Sequence, residues 1–403
     1  LALKVAVIGA GIGGLTAAST LVRRGADVTV YEQASALTEI GAGLSLFANG
    51  QRVLTELGAL DGLDQVGGEP NDVVLRDGRS GDVVAQHPLG RDGWYRSQTQ
   101  YPYLGIHRAE LLNRLVGSID ADCVRLDHRL VDLQPGADGV ELRWENGTTS
   151  DAEIVIGADG ARSTLRQWMF GESCALYSGN SGFRGIVRAD QVPSLENPGD
   201  LQFWVGTHAH LLHFPISPGG SEITFLAALE EPAQWPHDSA WRTPSTLDEA
   251  LAGYAGWHPA VTEMISAAAP SERWALFRME PLPTWHKGRL VLLGDAAHTM
   301  LPHHGQGANT SIEDAYVLSK LLTAADSRST EERLTTYESL RKRRAEKVQL
   351  ASWRANSLLH YIDDDVSHRD KAFANIPVDV RWMHTYDARE VPTHSAPIVS
   401  QRN

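Results

Sequence analysis

Residues 3–33, LKVAVIGAGIGGLTAASTLVRRGADVTVYEQ, constrain the fold more than any other stretch of the chain. The apolar run LKVAVI stops at Gly9, helical spacing takes over from Gly13, and ADVTVYE resumes as a strand. That order predicts a βαβ unit. Gly9, Gly11 and Gly14 stand in G-x-G-x-x-G spacing, with Gly13 inside the same loop. Gly9 permits a tight turn, Gly11 lets backbone N–H groups approach a pyrophosphate, and Gly14 lets helix and strand pack closely. The start of the helix then offers an anion its unpaired donors and the positive end of its dipole. Glu32, with Gln33 beside it, ends the next strand about 20 residues on, where a carboxylate can hold a ribose hydroxyl pair. This favours FAD or NAD over NADP at that position, and the βαβ unit alone does not choose between the two.

A chain of 403 residues is long for one core, so two domains with a cleft and a helical extension are expected. The net charge is −14, and the densest basic run, RKRRAEK at 341–347, sits in a helical pattern offset by Glu346 and Glu338. Nucleic acid is therefore not an expected partner. Cys123 and Cys174 are far apart with no CxxC, which signals neither a metal site nor a redox disulfide and suits a reducing cytoplasm. No segment reaches the ~18 apolar residues of a membrane span, and no membrane association is expected.

Asn49 is a candidate cap for a helix over GQRVLTELGAL, and RAELLNRLV at 108–116 is a second amphipathic helix. Short β-rich runs (DVVLRD, CVRLDHRLVDL, GVELRWENG, AEIVIGADG) are expected to lead back toward the first sheet. From about 175 to 280, SGFRGIVRA, LQFWVG, HLLHFPI and EITFLAAL alternate with Pro/Gly turns, as in an antiparallel sheet. TSIEDAYVLSKLLTAA and the long run from Ser329 to Leu359 have helical period, and the tail beyond about 390 is expected to be loosely ordered. The predicted architecture is α/β. A Rossmann-like dinucleotide domain covers 1–174, an antiparallel-sheet substrate domain 175–280, a return to the first domain 281–325, and C-terminal helices and tail 326–403.

Two further loops join the first: GADGARSTLR at 157–166 and GDAAHTMLPHHGQGAN at 294–309. With these three motifs in this order, from about residue 3 to 390, the chain resembles the single-component flavin aromatic hydroxylases of the p-hydroxybenzoate hydroxylase fold. The resemblance is nearest to the branch that holds salicylate hydroxylase and 6-hydroxynicotinate 3-monooxygenase. It implies FAD as the bound cofactor. Asp159 would lie near its pyrophosphate, Arg108 would reach the flavin or its phosphates, and backbone at Leu130 would meet the adenine. Asp295 would meet the ribityl and pyrophosphate region. The loop of Gly305, Gly307, Ala308 and Asn309 would bring backbone donors to the flavin ring, where they can stabilise negative charge. A helix is expected to begin near Ala308.

The activity implied by the resemblance is NAD(P)H- and O2-dependent hydroxylation of a small phenolic or N-heteroaromatic acid through a C4a-hydroperoxyflavin, with or without decarboxylation. NADH or NADPH would dock only transiently, since the sequence holds one G-x-G-x-x-G. The protein would work as a monomer or homodimer. His303 is the first candidate for substrate contact or acid/base chemistry, its alternative being a loop histidine bonded to backbone; His304 has no such support. Ser45 stands where relatives carry a polar residue, histidine in the hydroxynicotinate branch. His213 adjoins the strand position of a substrate-binding tyrosine, and Arg184 lies on a strand that passes over flavin or substrate. Alternative readings are a tailoring oxygenase for a larger natural product, a flavin-binding protein without turnover, and a plain NAD dehydrogenase.

Overall fold

Val5, Val7 and Ile8 are buried on β1 (Lys4–Ile8), which places that strand between neighbours rather than at an edge. The computed structural model describes residues 2–37, 43–171, 175–231, 235, 241–360, 371 and 373–392. Helix α1 (Ile12–Arg23) crosses to β2 (Asp27–Tyr31), which pairs parallel to β1 from Lys4↔Asp27 to Ile8↔Tyr31. Then come β3 (Gly43–Leu46), α2 (Ala48–Glu56), β4 (Asp72–Asp77), β5 (Val83–Pro88), α3 (Trp94–Thr99), β6 (Leu104–His107) and α4 (Arg108–Val116). The short β7 (Val124–Arg125) precedes a meander of β8 (Leu130–Pro135), β9 (Val140–Trp144) and β10 (Thr149–Ala152), followed by β11 (Ile154–Gly157) and α5 (Thr164–Phe170).

The middle of the chain supplies β12 (Ala175–Arg188), β13 (Leu201–Gly206), β14 (Ala209–Pro215), β15 (Glu222–Glu230), β16 (Arg242–Pro244), α6 (Leu247–Ala252), α7 (Pro259–Ala268) and β17 (Glu272–Met279). It closes with β18 (His286–Lys287), β19 (Leu290–Leu292), α8 (Asp295–His298), α9 (Gln306–Leu322) and α10 (Thr330–Leu359).

The first sheet has the order β18-β19-β11-β1-β2-β7, and β19, β11, β1, β2 and β7 all run parallel. The second has eight strands in the order β16-β17-β12-β15-β14-β13-β4-β5. Every pairing in it is antiparallel except β13 with β4. The run DVVLRD, expected to lead toward the first sheet, is β4, and it extends the second sheet instead. A strand so short joins whichever edge its flanking loops reach, and that is not written in its own residues. Two helices, α6 and α7, also interrupt the expected all-strand stretch. Ala260, Val261, Met264 and Ile265 of α7 pack with Phe183, Trp204, Leu211 and Phe225 on one face of the sheet.

Small residues let α1 sit close to the first sheet. A Cβ on Gly14 would lie 2.0 Å from the Gly9 carbonyl oxygen. Two further expectations change in detail. Asn49 does not cap α2, because Phe47 holds that position and Asn49 is buried inside the helix, donating to Gln306 at 3.0 Å and Glu313 at 2.6 Å. The glycine-loop helix begins at Gln306, two residues before Ala308. Cys174 and the tail from 393 lie outside the described residues.

Candidate active site

Parallel pairing brings together three loops that the sequence keeps far apart. β11, β1 and β19 are adjacent, and from their carboxyl ends leave ADGARS, GAGIGG and GDAAH respectively. Open α/β sheets bind ligands at that end of their strands. The loops touch: a Cβ on Gly9 would strike the Ala158 carbonyl oxygen at 2.5 Å, and one on Gly13 would meet Leu293 Cδ1 at 2.8 Å. Arg166, buried just after the second loop, donates to the Ala296 carbonyl of the third at 2.9 Å. Gly9 needs its φ of 103°, which a side chain would resist.

The residues present fit a dinucleotide. Around Gly11 a Cβ would find nothing within 4 Å, so the backbone there faces open space. The Glu32 carboxylate accepts from the backbone N–H groups of Ala10 and Ala34, both at 2.9 Å, which fixes it beside the loop; Gln33 is exposed next to it. Neither α1 nor α9 has a side-chain cap or an acid in its first turn, whereas α6 and α10 both carry complete capping boxes. Helix starts left bare in this way keep their donors free for an anion. Asp159 accepts from the Leu165 N–H at 3.1 Å, and burial raises its pKa against the pull of Ser163 and nearby backbone. Leu130 is buried in the core at the start of β8, paired with Trp144.

Between the loops and the second sheet lies a cavity of about 790 Å³, within the usual size of a ligand site. Arg108, Arg184, Asp295, Gly305, Gly307 and Ala308 all reach its wall, as do Ser45 and His303. Opposite them stand apolar side chains, among them Val73, Leu75, Phe203, Leu212 and Phe214. Asn309 also lies here but is fully buried, and its amide holds protein backbone: Oδ1 accepts from Phe47 N–H, while Nδ2 donates to the Ser45 and Gly305 carbonyls. Its side chain stitches β3 to the glycine loop rather than facing a ligand. His298 of GDAAH is structural too, because Nε2 bonds the Asp314 carboxylate, which also accepts from the Gly294 N–H at 3.1 Å.

His303 lines the cavity, and the rings of His210 and His360 pack near it outside the lining. His303 is buried, and neither of its ring nitrogens makes a close hydrogen bond to a described residue, although the Asn356 side chain is near enough to push its pKa up. The backbone-bonded alternative for His303 is therefore not what the fold adopts. Its ring centroid lies 5.1 Å from that of His210, whose Nδ1 is 2.6 Å from Nε2 of His360. Burial, with His360 and His304 beside it, pulls the His303 pKa down to about 3; burial brings His304 to about 4. Both imidazoles are neutral at ordinary pH.

The remaining candidates divide by strand face. Leu212 and Phe214 of β14 reach the cavity, so the period of two turns His213 away, where burial holds it at about 3. His213 is not brought to the site. His210, two residues before Leu212, shares the cavity-side face. Arg184 enters the cavity with its guanidinium 5.3 Å over the Trp274 ring, and burial, followed by Arg108, lowers its pKa. Ser45 is buried with its hydroxyl 3.0 Å from that of Tyr103, another cavity residue.

Sequence reasoning passed over Tyr103, His210, His360 and Arg354. Arg354 of α10 lines the cavity with no ion pair or hydrogen bond to any described residue, unlike Arg341 and Arg344 on the same helix. Its place at the end of a charged helix carried no signal. Among the described residues no helix is long and apolar enough to cross a membrane, and no three His, Cys, Asp or Glu side chains are grouped to hold a metal.

Comparison with known proteins gives this geometry a context. A family model described as FAD binding domain matches residues 2–352. The chain is 37% identical over 391 residues to 3-amino-4-hydroxybenzoate 2-monooxygenase of Streptomyces platensis, spanning 96% of this chain and 97% of that protein. It is 34% identical to 6-hydroxynicotinate 3-monooxygenase of Bordetella bronchiseptica, over 87% of this chain and 90% of the relative. Among solved structures, a salicylate hydroxylase substrate complex superposes with a TM-score of 0.82 at 30% identity, covering 98% of this chain and 99% of the other.

Proposed function

The chain belongs to the FAD-binding family of flavin-dependent aromatic monooxygenases, and from that membership we propose that it hydroxylates a small phenolic or N-heteroaromatic acid with NADH or NADPH and O2. Bound FAD would supply the redox chemistry, carrying electrons from the nicotinamide to O2, one atom of which would end on the ring. The loops of Gly9, Asp159 and Asp295 would hold the dinucleotide, and the Gly305–Ala308 turn would face its ring.

One observation carries this reading: a buried, neutral His303, with neither ring nitrogen in a close hydrogen bond and the Asn356 side chain near it, in the wall of an apolar cavity beside the glycine loop. A neutral imidazole accepts the hydrogen bond of a ring hydroxyl at one nitrogen and donates from the other, so it orients a phenol and holds its proton. A pKa near 3 makes it a weak base while no anion shares the cavity; an anionic ring beside it raises that value. Arg354, exposed to solvent where α10 lines the cavity, offers a guanidinium that a substrate carboxylate can meet. Phe203, Leu212 and Phe214 keep water from the reacting centre. Ser45, without a histidine, presents its hydroxyl together with that of Tyr103.

The test uses FAD-loaded protein with NADH or NADPH and a panel of hydroxybenzoates, aminohydroxybenzoates and hydroxypyridine carboxylates. Nicotinamide oxidation should be stimulated by at least one acid, and mass spectrometry should show a gain of one oxygen. Loss of CO2 in the same product separates decarboxylative from simple hydroxylation. Oxidation that yields only hydrogen peroxide across the panel would sink the proposal.

A further inference from the structure

The cavity is longer than a single ring at the glycine loop can span. Gly305 is fixed over the middle of the second sheet: a Cβ on it would lie 3.3 Å from the Ser45 Cβ of β3, and Gly43, at the start of β3, donates to the Thr224 hydroxyl of β15 at 3.2 Å. The lining continues past β15 through Leu212 and Phe214 of β14 and Phe203 of β13 to Val73 and Leu75 of β4. β15 and β4 are three strand steps apart, about 14 Å at the usual spacing between strands. A bare benzoate is about 7 Å long at ordinary bond lengths. Held at the glycine loop, it does not reach β4.

The β4 end is apolar. Val73, Leu75, Leu89, Leu359 and Phe373 belong to one buried cluster, and Phe373 stands edge-on to Phe203 with ring centroids 5.8 Å apart. On α10, Leu358 lines the cavity one helical turn beyond Arg354, on the same face. Arg354 and Asp379, the charged lining residues nearest to it in sequence, are both exposed and belong to the solvent side. One polar group faces the apolar end from α3: Trp94 lines the cavity and packs on the same cluster, and its Nε1 is buried with no hydrogen-bond partner among the described residues. A buried N–H of that kind favours a ligand that brings it an acceptor.

We propose that the β4 end is a subsite for an apolar substituent of the substrate. The acid whose ring sits at His303 then carries a chain of several carbons, with an ether or carbonyl oxygen that accepts from Trp94. This rests on the reading that the ring belongs to an aromatic acid, and it names the class of acid. Each methylene moved from water into such a wall strengthens binding, and the acceptor satisfies the one donor the wall presents.

The test uses FAD-loaded protein and hydroxybenzoates bearing linear alkyl or alkoxy groups of one to six carbons, placed in turn at each free ring carbon, with Kd read from the flavin spectrum. At one ring position Kd should fall roughly threefold for each added methylene, and the alkoxy acid should bind about fivefold more tightly than the alkyl acid of equal length. Leu358→Trp, which fills the subsite from α10, should weaken the longest chain tenfold or more and leave the bare acid within twofold. Trp94→Phe should erase the alkoxy advantage and leave the alkyl series unchanged. Kd that rises from the ethyl group onward at every ring position, in wild type, would overturn the subsite whether or not the variants fold. Alkoxy and alkyl acids of equal affinity would remove Trp94 from it. Bare acids that are hydroxylated while every extended acid is refused would sink the subsite alone, whereas a protein that neither binds nor oxidises any acid would sink the aromatic-acid reading and the subsite with it.

Discussion

His303 shows how much a single side chain depends on its surroundings. In solution an imidazole is half protonated near pH 6.5, but in this wall it stays neutral, with neither nitrogen held in a close hydrogen bond. His303→Gln keeps an acceptor and a donor yet removes the imidazole's ability to take a proton. The expected result is a fall in kcat/KM of about 10²-fold, with FAD content and the rate of flavin reduction unchanged. Activity within twofold of wild type would remove His303 from the chemistry. Its candidacy was readable from PHHGQG, since a histidine beside a glycine turn at the flavin is an evident choice. That His210, and not His213, faces the cavity side was not readable, because AHLLHFP alternates without saying which face is inward.

At the scale of elements, the third loop is held by helices rather than by its own sequence. Asp314 and Glu313 on α9 are fully buried and meet Arg341 at 2.8 and 2.6 Å, while Arg344 reaches Glu313 at 2.8 Å. Burial opposes ionisation, but His298 and Arg341 hold the Asp314 pKa at about 2. The basic run at 341–347 is thus neutralised mainly across the α9–α10 interface; Lys342 alone approaches the expected Glu338, at 3.8 Å. Asp314→Asn leaves Arg341 only partly matched in the interior. Its expected cost is about 3–5 kcal/mol, read as a melting temperature lowered by several degrees, and weaker FAD retention, because the Gly294 loop loses a charged anchor. A variant as stable and as yellow as wild type would show the network to be dispensable. The helical period of TSIEDAY was legible, whereas the burial of its two acids was not: Glu-Asp in a helix reads as a solvated face until a partner helix covers it.

Across the whole molecule, an unusual share of imidazoles is shielded from protons. Burial holds His213, His303 and His384 near pKa 3 and His304 and His360 near 4, and His210 lies well below its ordinary value. Above about pH 6.5 these groups are neutral in both folded and unfolded chains and have no effect on stability. As pH falls from there toward 4, the unfolded chain takes up protons that the folded one refuses. Each group then removes about 1.4 kcal/mol per pH unit. Asp200, raised to about 6 by burial and Asp72, and Asp159, also raised by burial, work in the opposite sense over part of the range, but as two groups against six. The melting temperature of the FAD-loaded protein should be nearly level from pH 8 to 7 and fall steeply below 6.5; a level profile down to pH 5 would contradict the buried, neutral assignment. The sequence by itself determined the βαβ unit, the three loop motifs, the strand and helix texture and the family, because each rests on spacings within about 30 residues or on motif order. Only the tertiary structure decided that β4 and β5 extend the second sheet, that Ser45 meets Tyr103, that Arg354 and not His213 faces the cavity, and that the acids of α9 are interior. Those outcomes depend on which edges pair and which faces turn inward, and such choices are made between segments rather than within them.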